Sequence, residues 1–220
     1  MPSAISVYWA QVDEASHMVF YVLLVMSLMS WYTILSKAWS FWRVRLAAPS
    51  VLAFWQAPTL QDAVALLAEK DMENIFTPLA KEGVQAIDVS ENNQSLNAKS
   101  ATSDVVTRVL RQQMNHVIVK LEKGLSLLAS IGATAPFVGL LGTVWGIYHA
   151  LTTVAMSGSV QLEQIAGPVG EALIMTALGL LVAIPAVLAY NAFNRINRIT
   201  LAELDAFAYD LHAHLTKPGI

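Results

Sequence analysis

Between Lys123 and Glu163 the chain carries no Asp, Glu, Lys or Arg. A helix needs roughly 20 apolar residues to cross a bilayer, so this stretch has room for a full span. A second run, Ile165 to Phe193, contains a single charge, Glu171. A third, from about Ala15 to Ser36, contains none. Irregular backbone facing lipid would leave its N–H and C=O groups unbonded, so runs of this length read as helices.

Composition supports that reading. Hydrophobic residues make up 55% of the 220 and charged residues 13%, which does not suit a solvated globule of this length. There is no cysteine, so disulfides, thiol nucleophiles and Cys-based metal sites are excluded. The net charge of −3, with no basic patch, gives no reason to expect a nucleic-acid partner. The expected fold is an all-α integral membrane protein with three transmembrane helices. The second and third extend into a cytoplasmic helical bundle.

The positive charges give the topology. All 13 Lys and Arg fall within residues 37–123 and 195–217. Lys37, Arg43 and Arg45, then Lys120 and Lys123, then Arg195 and Arg198 flank the spans. By the positive-inside rule these segments face the cytoplasm. The expected layout is a periplasmic N-terminus (1–14), spans at 15–36, 125–152 and 165–193, and a periplasmic loop (153–164). A cytoplasmic helical segment (37–124) and a cytoplasmic helical tail (194–220) complete it. Trp31, Tyr32, Trp39 and Trp42 sit where interfacial aromatics are found. The N-terminus does not read as a cleavable signal, because it lacks a basic region and carries Asp13 and Glu14.

The cytoplasmic segment reads as helical. Thr59-Leu60-Gln61-Asp62 resembles a capping box opening a helix from Leu60 to Glu69. Thr77-Pro78 places a cap residue before a proline at the first helical position. Residues 88–104 are polar and without period, and are expected to form a loop. Beyond them Val106, Val109, Leu110, Val117, Ile118 and Leu121 recur at helical spacing, and this helix can run straight into the second span. Ile196, Ile199, Leu204, Phe207, Leu211 and Leu215 make a similar stripe after the third.

Glu171 is the candidate functional residue. An acidic side chain at the centre of a spanning helix costs roughly 2.5–3.5 kcal/mol on insertion scales. Such residues face a bundle interior or a watery path and often relay protons. The alternative is a carboxylate near the helix end that reaches the headgroups, since Glu171 lies early in its run. Its neighbours Gly167, Pro168, Gly170 and Ala172 are small enough to admit a second backbone.

Gly139, Gly142 and Gly146 give the second span a close-packing surface, with Gly142 and Gly146 in small-xxx-small spacing. Ser130, Gly132, Ala133, Thr134 and Ala135 extend it. Pro136 and Pro185 are expected to interrupt their helices. Thr143 and Thr176 either bond to their own helices or line a polar path beside Glu171. Thr176 lies about 140° round an ideal helix from Glu171, so a shared path would run between helices or need a distorted one. His212 and His214 point to nearly opposite sides of a helix and make a poor metal pair. His17, His116 and His149 read as interfacial or solvated. No phosphate loop and no catalytic constellation is legible, so an enzyme is not expected, and neither is a cofactor.

Two segments together resemble a known family. Ala129-Ser130-Ile131-Gly132-Ala133-Thr134-Ala135-Pro136-Phe137-Val138-Gly139-Leu140-Leu141-Gly142-Thr143-Val144-Trp145-Gly146-Ile147 is similar to the second span of the MotA/TolQ/ExbB proton-channel family. Gly167-Pro168-Val169-Gly170-Glu171-Ala172-Leu173-Ile174-Met175-Thr176-Ala177-Leu178-Gly179-Leu180, followed by Ala183-Ile184-Pro185-Ala186-Val187, is similar to its third. The match is close over residues 121–200 and loose elsewhere. Three spans favour the ExbB and TolQ branch over four-span MotA. Leu140-Leu141 and Gly167-Pro168-Val169-Gly170 stand nearer the ExbB pattern, whereas His149-Ala150 stands nearer TolQ.

The resemblance implies a bacterial inner-membrane homo-oligomer, taken to be a pentamer, enclosing the spans of ExbD-like single-span chains. It implies a proton pathway at Glu171, Thr143 and Thr176, and energisation of a TonB-like protein for uptake of siderophores, haem or vitamin B12. TolQ-like energisation of the envelope is the alternative within the family. A non-conducting membrane scaffold, with Glu171 as a packing residue, is the alternative outside it.

Overall fold

The structure, a computed structural model, describes residues 14–91, 98–157 and 162–216. It contains α1 (Glu14–Gln56), α2 (Leu60–Lys70), α3 (Thr77–Glu91), α4 (Ala98–Glu122), α5 (Leu125–Ser157) and α6 (Leu162–Leu215), with no strand among the described residues. Three helical stretches, Ala15–Gln56, Thr102–Met156 and Ile165–Leu215, are long and apolar enough to cross a membrane. The expected N-terminal segment lies almost wholly outside the described residues, as does the middle of the 153–164 loop.

Several expectations need correction. The polar segment 88–104 is largely helical: α3 continues to Glu91 and α4 begins at Ala98, with residues 92–97 outside the described part. The helix that carries the Val106–Leu121 stripe does not run straight into the second span. It ends at Glu122, and Gly124 turns the chain at φ 85°, a left-handed conformation that glycine adopts without steric cost. Pro136 and Pro185 end neither helix, for α5 and α6 run through them. Among packed helices such prolines are tolerated because neighbours take over the freed backbone groups.

The chain divides into two compact units, one of residues 1–35 and 124–192 and the other of residues 36–123 and 193–220. In the first unit α5 and α6 pair antiparallel at very short range. A Cβ built on Gly139 would sit 2.7 Å from the Met175 carbonyl oxygen and 3.1 Å from Gly179 Cα. One on Gly179 would sit 2.7 Å from the Ala135 carbonyl oxygen. Farther along, Gly142 faces Met175 Cβ at 2.9 Å and Gly146 faces Ala172 Cβ at 3.0 Å, while at the other end Gly132 meets Val187. At Gly139 and Gly179, where the facing atoms are backbone, only hydrogen fits. The start of α1 joins the pair through Val19, whose Cγ1 lies 3.1 Å from a Cβ built on Gly142. Ser16, Val19, Leu23, Ser30 and Thr33 form its buried face. The outward faces carry large apolar side chains such as Leu28, Phe137, Leu141, Leu173 and Leu181, as lipid contact requires.

The second unit is built like a water-soluble helical domain. Thr59 caps α2, its hydroxyl oxygen accepting the Asp62 N–H at 3.1 Å. The start of α3 is capped differently from the expectation for Thr77. Buried Asp71 accepts the N–H groups of Ile75, Phe76 and Thr77 at 3.0, 2.7 and 2.8 Å, and the buried Thr77 hydroxyl makes no hydrogen bond. One carboxylate thereby holds the turn that leads into α3 and accepts the first helical N–H, that of Thr77. Leu67, Ile75, Phe76, Leu79, Val106, Leu204 and Leu211 form the core. Phe207 is its aromatic hub, with ring centroids 5.2 Å from Phe54 and 5.7 Å from Phe76. Of the expected stripes, Val106, Leu110, Val117 and Leu121 are buried on α4, and Leu204, Phe207 and Leu211 on α6. Ile199 is the exception. It is 53% exposed, and Asn197 and Thr200 are buried in its place.

Candidate proton site

The site is built on the α5–α6 seam. As residue numbers rise along α5 they fall along α6: Gly132 meets Val187, Gly139 meets Gly179 and Thr176, Gly142 meets Met175, and Gly146 meets Ala172. Glu171 directly precedes Ala172, the buried α6 residue that meets Gly146. Its side chain is half-buried, and its Oε1 is shut off from solvent. Thr143 is buried between Gly142 and Gly146 on the opposing helix, within the same turn-level of the seam. Its hydroxyl donates to the Leu140 carbonyl at 2.7 Å, the own-helix bond that the sequence left open. That bond uses the hydroxyl hydrogen and leaves oxygen lone pairs able to accept.

Thr176 is half-buried about one turn along α6, and its Cα lies 3.2 Å from a Cβ built on Gly139. The helix between Glu171 and Thr176 is unbroken, so their side chains do not share a face of α6. Any joint role runs between the helices. The three glycines of the second span, Gly139, Gly142 and Gly146, are all buried in the seam.

Sequence reasoning missed Gly179, the counterpart of Gly139. Its signal was present, because Gly179 and Ala183 repeat the small-xxx-small spacing. Lys37, Asp71 and Asn197 were also missed as structural residues, and no local motif marks them. His149 is exposed, and its carbonyl accepts the hydroxyls of Thr152 and Thr153. His212 Nε2 lies 3.1 Å from Thr107 Oγ1 and 3.3 Å from Ser103 Oγ, and His214 lies against Trp55. Among the described residues no three His, Cys, Asp or Glu side chains gather to hold a metal ion.

A family model described as the MotA/TolQ/ExbB proton channel family matches residues 71–206, which include the whole seam and both threonines. The chain belongs to this family. A relative from Xanthomonas campestris pv. campestris, "Biopolymer transport protein ExbB", is 44% identical over 202 residues, covering 90% of this chain and 80% of its own. One of the same name from Neisseria meningitidis is 40% identical over 200 residues, covering 90% of both. "Tol-Pal system protein TolQ" of Pseudomonas aeruginosa is 38% identical over 117 residues, covering 53% of this chain and 51% of its own. With three apolar helices of spanning length, this member of the family is an all-α, multi-pass membrane protein.

Proposed function

We propose that this chain is an ExbB-type energising subunit of the bacterial inner membrane. In this reading it assembles as a homo-oligomeric ring, with five copies as the working number, around ExbD-like single-span chains. Protons moving down their gradient through the assembly energise a TonB-like protein for uptake of siderophores, haem or vitamin B12 across the outer membrane. The N-terminus and residues 153–164 face the periplasm, and residues 37–124 and 194–220 face the cytoplasm. The absence of cysteine makes that topology directly testable, since single introduced thiols can be labelled from either side.

Glu171 carries the reading. It is the one charge in its span, its Oε1 is buried, and it directly precedes Ala172, which meets Gly146 across the α5–α6 seam. A group that exchanges a proton at membrane depth explains why a costly carboxylate is kept there. Thr143 and Thr176 supply hydroxyls along the same seam for a proton path between helices. A proton crossing 100 mV releases about 2.3 kcal/mol, enough to bias a conformational step but small for force generation, so several protons serve each event.

The TolQ-like reading keeps one specific support, the match to a Tol-Pal relative over 117 residues. The ExbB-named relatives match over 90% of the chain, and this difference favours the TonB reading. Complementation separates the two. Rescue of receptor-dependent growth on ferric siderophore supports the first, and rescue of detergent sensitivity alone supports the second.

A further inference from the structure

Helix α4 ends at Glu122, and the chain turns at Gly124 before α5 begins at Leu125. The last carbonyls of a helix have no donor within it. Here the Val119 carbonyl accepts the backbone N–H of Lys123 at 3.1 Å. The Leu121 carbonyl is served from two other helices instead. Lys37 Nζ of α1 donates to it at 2.8 Å, and Asn197 Nδ2 of α6 donates at 2.9 Å. Lys37 Nζ also reaches the Lys120 carbonyl at 3.3 Å. One backbone oxygen thus ties three helices together, one residue before α4 ends.

Both donors occupy places that an apolar side chain would fill at lower desolvation cost. Asn197 is 3% exposed, and its Oδ1 accepts no hydrogen bond. The amide is therefore held for its N–H alone. Lys37 is half-buried, and burial lowers the pKa of its ammonium from 10.5; Lys120 and Lys123 add to that shift and Glu73 opposes it. An amine drawn out of water toward the negative end of a helix is suited to fixing that end.

Asn197 and Glu171 belong to the same helix, α6. We propose that Lys37 and Asn197 are positioning residues for the proton-driven step, gripping the Leu121 carbonyl so that a displacement begun at Glu171 passes along α6 into α4 and α1. Without the grip, the motion is spent as bending at Gly124. This inference rests on the proton reading of Glu171.

The test uses the full chain with its partners in the native membrane, comparing Lys37→Met, Lys37→Arg, Asn197→Leu and Glu171→Gln. Two rates are measured per assembled complex: ferric-siderophore uptake, and proton entry into spheroplasts followed with a pH-sensitive dye. Lys37→Met and Asn197→Leu are expected to lower uptake about tenfold, the worth of about one hydrogen bond felt in the step, with proton entry retained. Lys37→Arg, which keeps the donors, restores uptake. Parallel loss of uptake and proton entry in the two joint variants overturns the proposal, and so does unchanged uptake, or a loss explained by the amount of complex assembled. Glu171→Gln is expected to stop both rates. If it stops neither, the proton reading itself fails, whatever the joint variants do.

Discussion

The two units of this chain solve helix packing in opposite ways. In the first unit, α5 and α6 meet through very small residues: Gly139 on Gly179, and Gly146 on Ala172. In the second, the helices pack through bulk: Phe76, Phe207, Leu67 and Leu211 have almost no exposed surface. The polar contacts differ as well. Hydroxyls in both units, such as Thr143 and Thr216, donate to carbonyls of their own helices, but in the second unit Lys37 and Asn197 also reach across to other helices. The difference follows from the solvent. Lipid tails are as apolar as leucine, so helices gain nothing by hiding leucine from them and associate by close backbone contact. In water, burying large apolar side chains is the main driving force.

The contrast can be broken by substitution, and the largest effect is expected in the second unit. Phe76→Ala empties the aromatic hub at Phe207 and should cost about 3–5 kcal/mol, as large-to-small changes in packed cores do. Equilibrium unfolding in mild detergent reads it, and an effect below about 1 kcal/mol would mean that this core can collapse around the gap.

In the first unit the sensitive change runs the other way, from small to large. Gly139→Ala puts a Cβ 2.7 Å from a backbone oxygen, so the helices must separate, at about 1–3 kcal/mol. Gly170→Ala is the control. Nothing lies within 4 Å of its Cβ, so helix propensity alone acts and the variant should be neutral or slightly more stable. Thermal unfolding of the two variants in one detergent checks the pair, and equal losses would remove the close-approach account.

A smaller effect tests the capping of the second unit. Thr59→Ala removes the acceptor for the Asp62 N–H and should cost about 1 kcal/mol, read as a shift in the same unfolding curve.

The smallest effect is electrostatic. Burial holds the Lys37 pKa below 10.5 in the folded chain, so between that folded value and 10.5 the unfolded chain binds more proton. This group therefore makes stability rise with pH across that window. Glu73 is the one neighbour opposing the shift, so Glu73→Gln should lower the Lys37 pKa further and widen the window toward lower pH. Titration of a 13C label at Lys37 Cε checks the direction, and an upward shift would contradict it.

The same division decides what was legible in the sequence. The spans declare themselves because lipid forbids charge, so Glu171 stands out against its run. The α2 cap at Thr59 was legible because its motif is local. Long-range polar contacts were not. Asp71 caps a helix that starts six residues later, and Asn197 answers a carbonyl 76 residues away in the chain. Neither relation leaves a periodic trace. The expected continuity through residues 122–125 failed for a simpler reason. Apolar spacing does not report a glycine that takes positive φ. Ile199 was misplaced because a strict apolar stripe cannot foresee that Asn197 and Thr200 are the buried positions.

The central claim is that Glu171 works as a proton site, and growth on a receptor-dependent iron source tests it most directly. Wild type and Glu171→Gln are compared at matched membrane levels with assembly verified. Glutamine keeps the size and hydrogen-bonding shape of the side chain and removes its charge and exchangeable acid. The account predicts lost growth with the complex intact. Normal growth of Glu171→Gln would contradict it and leave the residue a packing element of the seam.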